Sequence, residues 1–230
     1  MKRLTLIILG VLLCTPLYSD MNTYVIGSGG GGGGDYLVQE DFEGTGTPSG
    51  WGKWTDRPLP DFDYTSTVLE GTESMYLAGT GYGFDSAVST PTQSAGTDRY
   101  VAFMLRVPSL PTVDAALLQL YNSTTLLGRI FLRYNGALLA RIEGGSSAYG
   151  TSGAISANTT YYVKVRWQAG EPATLTAWIS SDGSSWTQNA SANDVNQTLG
   201  VTYNTFRSNE PDNYTPIIDL VREANEDINY

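Results

Sequence analysis

The fold is decided by one stretch, which reads Tyr161-Tyr162-Val163-Lys164-Val165-Arg166-Trp167-Gln168. Its odd-numbered residues are apolar or aromatic, and three of its even-numbered residues are polar. Alternation with a period of two indicates a β-strand with one buried and one solvated face. A second alternating stretch follows at 174–179 after a short break. The two stretches are predicted to form a β-hairpin.

The register of this hairpin follows from the pattern, because residues that face each other must lie on the same side of the sheet. The predicted pairs are Trp167 with Leu175, Val165 with Ala177 and Val163 with Ile179 on the inner side, and Arg166 with Thr176 and Lys164 with Trp178 on the outer side. Ser181-Asp182-Gly183-Ser184 then supplies a turn. Trp186 is expected to return toward the core.

Similar alternation recurs along the chain, and no convincing amphipathic helix interrupts it. Further predicted strands are 36–43, 62–66, 74–78, 99–107, 116–121, 130–134, 138–143, 201–207 and 217–222. Clusters of Gly, Asn, Ser and Pro separate them at short intervals. Short strands with regular turn signals predict an all-β fold, an antiparallel β-sandwich.

The N-terminal residues have the layout of a secretory signal. Lys2 and Arg3 precede an apolar run at 4–13, and a break with small residues ends near Ser19. The run is too short for a permanent membrane anchor. Residues 1–19 are therefore predicted to be a signal peptide, and the mature protein is expected to be secreted, either extracellular or periplasmic.

The mature chain is predicted to have three parts. Residues 20–35 form a flexible leader, because six consecutive glycines (Gly29 to Gly34) have no side chains to bury. Residues 36–224 form the sandwich, and 225–230 form a C-terminal tail. The segment Tyr24-Val25-Ile26 within the leader is either disordered or a strand donated to the sheet edge of a neighbour.

Composition restricts the chemistry of the protein. The chain has no histidine, and its only cysteine, Cys14, lies in the predicted signal peptide. Serine–histidine or cysteine–histidine catalysis and zinc sites with His or Cys ligands are therefore excluded for the mature protein. Carboxylates, hydroxyls, basic groups and aromatic rings remain for binding or catalysis.

Net charge restricts the partners. The formal charge is −10, and loss of Lys2 and Arg3 with the signal peptide would leave −12. Nucleic acid is therefore not expected as a partner, and no membrane insertion is expected. Residues 99–168 nevertheless contain seven basic and two acidic residues. This asymmetry predicts either one basic surface or scattered solubilising charges.

Several motifs resemble the concanavalin A-like lectin/glucanase jelly rolls and the related laminin-G-like modules. They are Glu40-Asp41-Phe42-Glu43-Gly44, Trp51, Ser74-Met75-Tyr76-Leu77, Tyr161-Tyr162-Val163-Lys164-Val165 and the closing Ile218-Asp219-Leu220-Val221-Arg222. The resemblance covers residues 36 to 224. It implies a jelly roll in which the last strand lies beside the first.

The same resemblance implies a structural calcium ion where the first and last strands meet. Carried over by position, it nominates Glu43 and Asp219 as ligands, with Asp41 nearby. Calcium is bound by oxygen ligands and needs neither His nor Cys. The alternative is that Asp219 caps backbone groups or pairs with an arginine.

The outer side of the hairpin is the predicted ligand-binding surface. It carries Tyr162, Lys164, Arg166, Thr176 and Trp178, which combine a stacking platform for a sugar ring with cations for an acidic or sulfated glycan. The alternative is an ordinary solvated strand face. Four further residues would extend the surface if their strands joined the same sheet, namely Arg106, Gln119, Tyr121 and Arg133.

The glucanases of this fold resemble one another in a Glu-x-Asp-x-Glu strand, and this spacing is absent from the chain. The leading prediction is therefore a non-catalytic, lectin-like module that binds extracellular or cell-surface polysaccharide. One alternative is a structural or adhesive subunit that self-associates through its leader. The other alternative is a carboxylate-dependent glycoside hydrolase or lyase.

Overall fold

A computed structural model describes residues 36–44, 46–53, 60–78, 86–193, 196–208 and 214–230. The predicted signal peptide and leader, including Tyr24-Val25-Ile26, lie outside these residues. The described part of the chain contains fifteen β-strands and no helix. It accordingly has no helix of the length and apolar character needed to cross a membrane.

In chain order the strands are β1 (Val38–Glu40), β2 (Gly52–Lys53), β3 (Asp61–Tyr64), β4 (Ser74–Tyr76), β5 (Ser86–Ser89), β6 (Asp98–Arg106), β7 (Ala115–Asn122), β8 (Thr125–Leu132), β9 (Leu138–Ile142), β10 (Ser147–Tyr149), β11 (Thr160–Gln168), β12 (Thr174–Ser180), β13 (Thr187–Asn193), β14 (Tyr203–Ser208) and β15 (Ile217–Ala224).

These strands form two antiparallel sheets. The first sheet has the order β13-β12-β11-β6-β15-β4-β3, and β1 also pairs with β15. The second sheet has the order β10-β9-β8-β7-β14-β5-β2. The sheets pack face to face, and the predicted antiparallel jelly-roll sandwich is confirmed.

The core lies between the sheets. Phe103 on β6 meets Phe206 on β14 edge to face, with ring centroids 5.1 Å apart. Trp167 is fully buried, and its indole N–H donates to the carbonyl of Leu199 at 3.0 Å. Gly128 on β8 makes room for Leu175 and Trp167, because a Cβ there would lie 2.9 Å from Leu175 Cδ2 and 3.7 Å from Trp167 Cζ3.

The hairpin register is confirmed pair by pair between β11 and β12. The expected pairing of the first and last strands is also confirmed, since Val38 lies opposite Glu223 and Glu40 lies opposite Val221. The register prediction depended on alternation with large apolar residues, which fixes the side of every residue once one face is buried. The pairing of the first and last strands was implied by the resemblance.

Four strands were missed in the sequence, namely the two-residue strand β2 and three longer ones, β5, β10 and β13. The residues of the longer three are Ser86-Ala87-Val88-Ser89, Ser147-Ala148-Tyr149 and Thr187-Gln188-Asn189-Ala190-Ser191-Ala192-Asn193. Small and polar residues dominate all three, so the two sides of each strand differ little in polarity and the alternation is hard to detect in the sequence. Two of them, β10 and β13, are edge strands that bury only one flank.

Candidate functional site

The outer surface of the first sheet, here called the first face, carries the five residues predicted to bind a ligand. Lys164 lies opposite Trp178 and Arg166 lies opposite Thr176, as the sequence predicted, and Tyr162 is the next outward residue along β11. The structure therefore brings the five side chains together on one surface. Their role as ligand-binding residues stays a prediction.

The segment 225–230, predicted to be a tail after the sandwich, lies against the first face. The ammonium of Lys164 is 2.6 Å from Asp227 Oδ1 and also donates to the carbonyl of Ile228 at 3.2 Å. Ile228 is 1% exposed and packs in a small apolar cluster outside the main core. Lys164 is consequently buried, with 4% of its surface exposed.

Tyr230, the last residue of this segment, lies over aromatic residues of the first face. Its ring lies 5.0 Å from the ring of Tyr162 and 4.3 Å from the guanidinium of Arg222. Burial raises the pKa of Tyr230 well above its ordinary value. Trp186 belongs to the same cluster, with the Lys164 ammonium 4.5 Å from its ring, so the expectation that it returns to the core is wrong.

The other charged group of the predicted platform is also paired within the chain. Arg166 makes two parallel contacts to Asp98, Nε to Oδ1 at 2.8 Å and Nη2 to Oδ2 at 2.6 Å. This carboxylate raises the pKa of Arg166. The hydroxyl of Thr176 is 2.9 Å from that of Ser191. The cations that a ligand was expected to meet thus already have partners in the described part of the protein.

The conditional extension of this platform forms in part, because Arg106 lies opposite Thr160, on the same side of the first sheet as Tyr162 and Lys164. Arg106 lies on β6 in the first sheet, whereas Gln119 and Tyr121 lie on β7 in the second sheet, and Arg133 directly follows β8 there. Gln119, Tyr121 and Arg133 are therefore separated from the platform by the thickness of the sandwich. The sequence did not predict this separation, because its pattern gives the side of a strand on which a residue lies but not the sheet that the strand joins.

A continuous row of polar residues lies on the outer side of the second sheet, here called the second face, and two residues in its middle, Gln119 and Thr205, are buried. From β10 to β5 the row consists of Ser147, Arg141, Arg129, Gln119, Thr205 and Ser89, each paired in register with the next. We call these six residues the polar row. Their inner-side neighbours, such as Ile130 and Leu120, are buried in the core.

Gln119 is the hub of the polar row. It is 1% exposed, and its carbonyl oxygen accepts hydrogen bonds from the Tyr121 hydroxyl at 2.8 Å and from Arg207 Nη1 at 3.1 Å. Tyr121 in turn stacks on Tyr203, with ring centroids 5.1 Å apart and planes 5° from parallel. Burial raises the pKa of both tyrosines.

The other end of the polar row carries two arginines directly opposite each other, Arg129 and Arg141. Arg129 is half-buried and lies 2.8 Å from Glu143. Arg141 is exposed and makes no ion pair within the described residues. Positive charge therefore accumulates toward the β9–β10 edge of the second face.

Aromatic side chains flank this basic end. Tyr149 on β10 is 63% exposed and Tyr134 is 54% exposed, the most exposed aromatic residues in the part of the chain that the structure describes. The guanidinium of Arg133 lies 4.4 Å from the Tyr149 ring and 5.4 Å from the Tyr134 ring. Asp114 holds that guanidinium at 3.0 Å. The exposed rings are thereby held in place.

Sequence reasoning missed Arg129, Arg141 and Tyr149 as members of one surface. The strand predicted at 130–134 began one residue too late to include Arg129, and β10 was not predicted. The available signal was the repeated Arg-x-Phe-x-Arg spacing of Arg129, Phe131 and Arg133, which places three residues on one side of an extended strand.

The calcium ligands implied by the resemblance lie at an acidic pocket of about 130 Å³. Its lining residues are Asp41, Glu43, Glu70, Gly71, Asp219 and Leu220. The pocket lies beside the pairing of β1 with β15, where the resemblance placed it. Phe42 and Leu220 have positive φ angles of 57° and 45° next to the two nominated residues, so the backbone is locally strained there.

Each nominated carboxylate is held by hydrogen bonds. Glu43 accepts from the Thr72 amide at 2.8 Å, the Thr72 hydroxyl at 2.6 Å and the Glu73 amide at 3.2 Å. The Thr72 hydrogen bonds lower the pKa of Glu43.

Asp219 is fully buried and accepts from the Ser74 hydroxyl, the Glu70 amide and the Leu220 amide. Burial raises its pKa to about 6. Asp219 therefore caps backbone and hydroxyl groups, and no arginine pairs with it among the described residues.

The donor set fits calcium in kind, since four carboxylates from Asp41, Glu43, Glu70 and Asp219 line one pocket. Within the described residues, however, no three acidic side chains converge closely enough to hold a metal ion in this arrangement. Hydrogen bonds now occupy the oxygens of Glu43 and Asp219. Binding would require these side chains to exchange some of those bonds for the ion.

Neither a family model nor a curated protein matches the chain by sequence. Solved structures do match it by shape. The cellulose-induced protein Cip1 aligns with a TM-score of 0.63 and 15% identity, over 84% of this chain and 99% of Cip1. A sialidase aligns with a TM-score of 0.61 and 15% identity, over 81% of this chain and 18% of the sialidase.

The Ca²⁺/Man3GlcNAc-bound exoplasmic/lumenal domain of VIP36 is a third similar structure. It aligns with a TM-score of 0.54 and 11% identity, over 79% of this chain and 86% of that domain. At such identities the similarity establishes the fold alone. The protein has the concanavalin A-like jelly-roll fold that the sequence motifs resembled.

Proposed function

We propose that the protein binds carbohydrate through the second face and does so without catalysis. The observation that carries this proposal is the open end of the polar row, where Ser147 and Arg141 are exposed and Arg129 is half-buried, with aromatic rings beside them. A sugar presents hydroxyls at its edge and apolar C–H groups on its faces. Polar groups beside aromatic platforms match both parts.

The exposed tyrosines support the same location. Tyr149 offers an open ring that Arg133 holds in position, so little side-chain entropy is lost when a sugar stacks on it. The first face offers a ligand less accessible surface, because residues 225–230 contact Lys164 and the Tyr162 ring. Similarity to a lectin structure bound to Man3GlcNAc agrees with the proposal at the level of fold.

The proposal is tested by comparing one aromatic truncation on each face. Tyr149→Ala should weaken binding to a responsive polysaccharide by about tenfold, a typical loss for an anchoring aromatic residue. Trp178→Ala should leave binding unchanged. Affinity electrophoresis against a panel of soluble polysaccharides measures both, and circular dichroism checks that each variant is folded.

The reverse result, loss with Trp178→Ala and none with Tyr149→Ala, would return the site to the first face as the sequence predicted. Tyr149→Phe is the matched control, since it keeps the ring and should keep most of the affinity. Incubation of the same polysaccharides with a reducing-end assay tests the absence of catalysis. Release of new ends would favour a hydrolase or lyase instead.

We also propose that the acidic pocket binds calcium in a structural role, with Glu43 and Asp219 as ligands and Asp41 and Glu70 nearby. The support is the chemistry of the pocket, where hard oxygen donors gather and the described lining residues include no arginine or lysine. When bound, the ion would supply positive charge to a buried carboxylate. The chain's own residues would orient the β1–β15 junction around it. Export through the N-terminal signal would place the protein outside the cell, where calcium is abundant.

A further inference from the structure

The polar row contains a like-charge pair that the protein only half neutralises. Arg129 on β8 and Arg141 on β9 are direct cross-strand neighbours with side chains on the same outer surface. Like charges directly opposite each other destabilise a sheet. Such a pair persists at low cost only where counter-charge is available.

Within the described residues, Glu143 is the one carboxylate that contacts this pair. It lies 2.8 Å from Arg129, yet the Arg129 Nε–H and the Glu143 oxygen are not aligned for a hydrogen bond. Arg141 has no anionic partner there, and Ser147 opposite it is neutral. One exposed guanidinium is therefore left without counter-charge, with its planar set of donors free to contact a carboxylate.

An aromatic platform lies next to this guanidinium. Tyr149 follows Ser147 by two residues on β10, so its side chain is on the same surface as Arg141 at the diagonal cross-strand position. Diagonal neighbours lie about 7–8 Å apart, within reach of long side chains. One sugar unit stacked on Tyr149 can therefore direct a substituent toward Arg141.

We propose that the second face selects polysaccharides that contain uronic acids, with the sugar ring on Tyr149 and its carboxylate between Arg141 and Arg129. This inference rests on the proposed carbohydrate-binding function and adds the class of ligand. Carboxylate is favoured because it pairs with guanidinium through two parallel hydrogen bonds and relieves the repulsion within the arginine pair. The selectivity is local, since the whole chain is acidic.

The experiment compares alginate and polygalacturonate with their carboxyl-reduced, neutral counterparts, using the full-length mature protein. The acidic form of at least one polymer should bind about tenfold more tightly at low salt, the effect of one charge-assisted contact. The preference should shrink as salt rises, because exposed charges are screened beyond about 8 Å at physiological ionic strength. Arg141→Gln should remove the preference, so that the acidic and neutral forms of the polymer bind equally tightly to the variant.

Arg106→Gln is the matched control, because it removes the same charge from the first sheet and should keep the preference. Equal binding of acidic and neutral forms, or an equal loss in both variants, would overturn the inference and leave carbohydrate binding standing. If no polymer of either kind binds and a wider neutral panel also fails, both proposals are wrong. If Tyr149→Ala abolishes neutral binding while acidic binding survives, the stacked geometry is wrong.

Discussion

The first and second faces are built from similar residues and differ in how completely their cations are paired within the chain. On the first face, Lys164 contacts Asp227 and Arg166 pairs with Asp98 through two contacts. On the second face, Arg141 is exposed with no ion pair among the described residues, beside a Tyr149 ring that is 63% exposed. The same combination of cation and aromatic ring is thus internal packing on one side and open surface on the other.

The difference shows what distinguishes a binding surface from a packed one. A cation on the polar side of a strand has the same sequence signature in both cases. The outcome depends on whether another segment of the chain supplies a carbonyl or carboxylate to it. For Lys164 that segment is 225–230, which is about sixty residues away in sequence.

The largest expected effect comes from the residue that anchors this segment. Ile228→Ala should destabilise the fold by about 2–5 kcal/mol, because it removes a fully buried branched side chain. Urea denaturation gives the change in the free energy of unfolding. Leu199→Ala is the control, since Leu199 is 41% exposed and should cost no more than about 0.5 kcal/mol. Equal, small losses in both would mean that the segment does not hold the first face closed.

The next effect is a pH dependence of the free energy of unfolding. It is expected from Asp219, a buried acid of the first sheet, and not from the exposed charges of the second sheet. Asp219 has a pKa of about 6 in the fold against an ordinary value of 3.8. Because the folded state binds this proton more tightly, its contribution to stability is present below about pH 4 and is lost as the pH rises through 6. The loss is at most about 3 kcal/mol.

Denaturation in a chelator between pH 4 and 8 measures this slope, and Asp219→Asn should flatten it. Burial also raises the pKa values of Glu40 and Glu223, so they add to the same slope. Hydrogen bonds from Thr72 lower the pKa of Glu43 instead, so its contribution to stability is lost only as the pH falls below its ordinary pKa of 4.5. Added calcium should raise stability above pH 6 in the wild type, because the ion needs the ionised ligand. Identical slopes in the wild type and Asp219→Asn would contradict the assignment.

The sequence predicted the parts of the molecule that depend on strong alternation. The 161–179 hairpin and its register follow from large apolar residues with a period of two. The pairing of the first and last strands followed from the resemblance. The positions of Glu43 and Asp219 at one pocket followed from the resemblance. The partners of Lys164 could not be predicted, because 225–230 has no periodic pattern and docks on a surface that exists only after folding. The polar row could not be predicted either, since it crosses strands from distant parts of the chain.

The smallest effect tests whether charge pairing alone separates the two faces. Arg166 and Asp98 are 31% and 38% exposed, so Asp98→Asn should cost no more than about 1 kcal/mol. The substitution releases the Arg166 guanidinium on the first face. It does not uncover Lys164 or the Tyr162 ring, which residues 225–230 still contact.

Asp98→Asn should therefore be measured in an Arg141→Gln background, where the second face has lost its exposed cation. Binding to alginate or polygalacturonate should change less than about twofold, because the ring next to the freed guanidinium, Tyr100, is half-buried, whereas Tyr149 is open. Recovery of the acidic preference would mean that an unpaired arginine is sufficient on either face. The polar row and Tyr149 would then be unnecessary, and the two faces would differ only in their carboxylates.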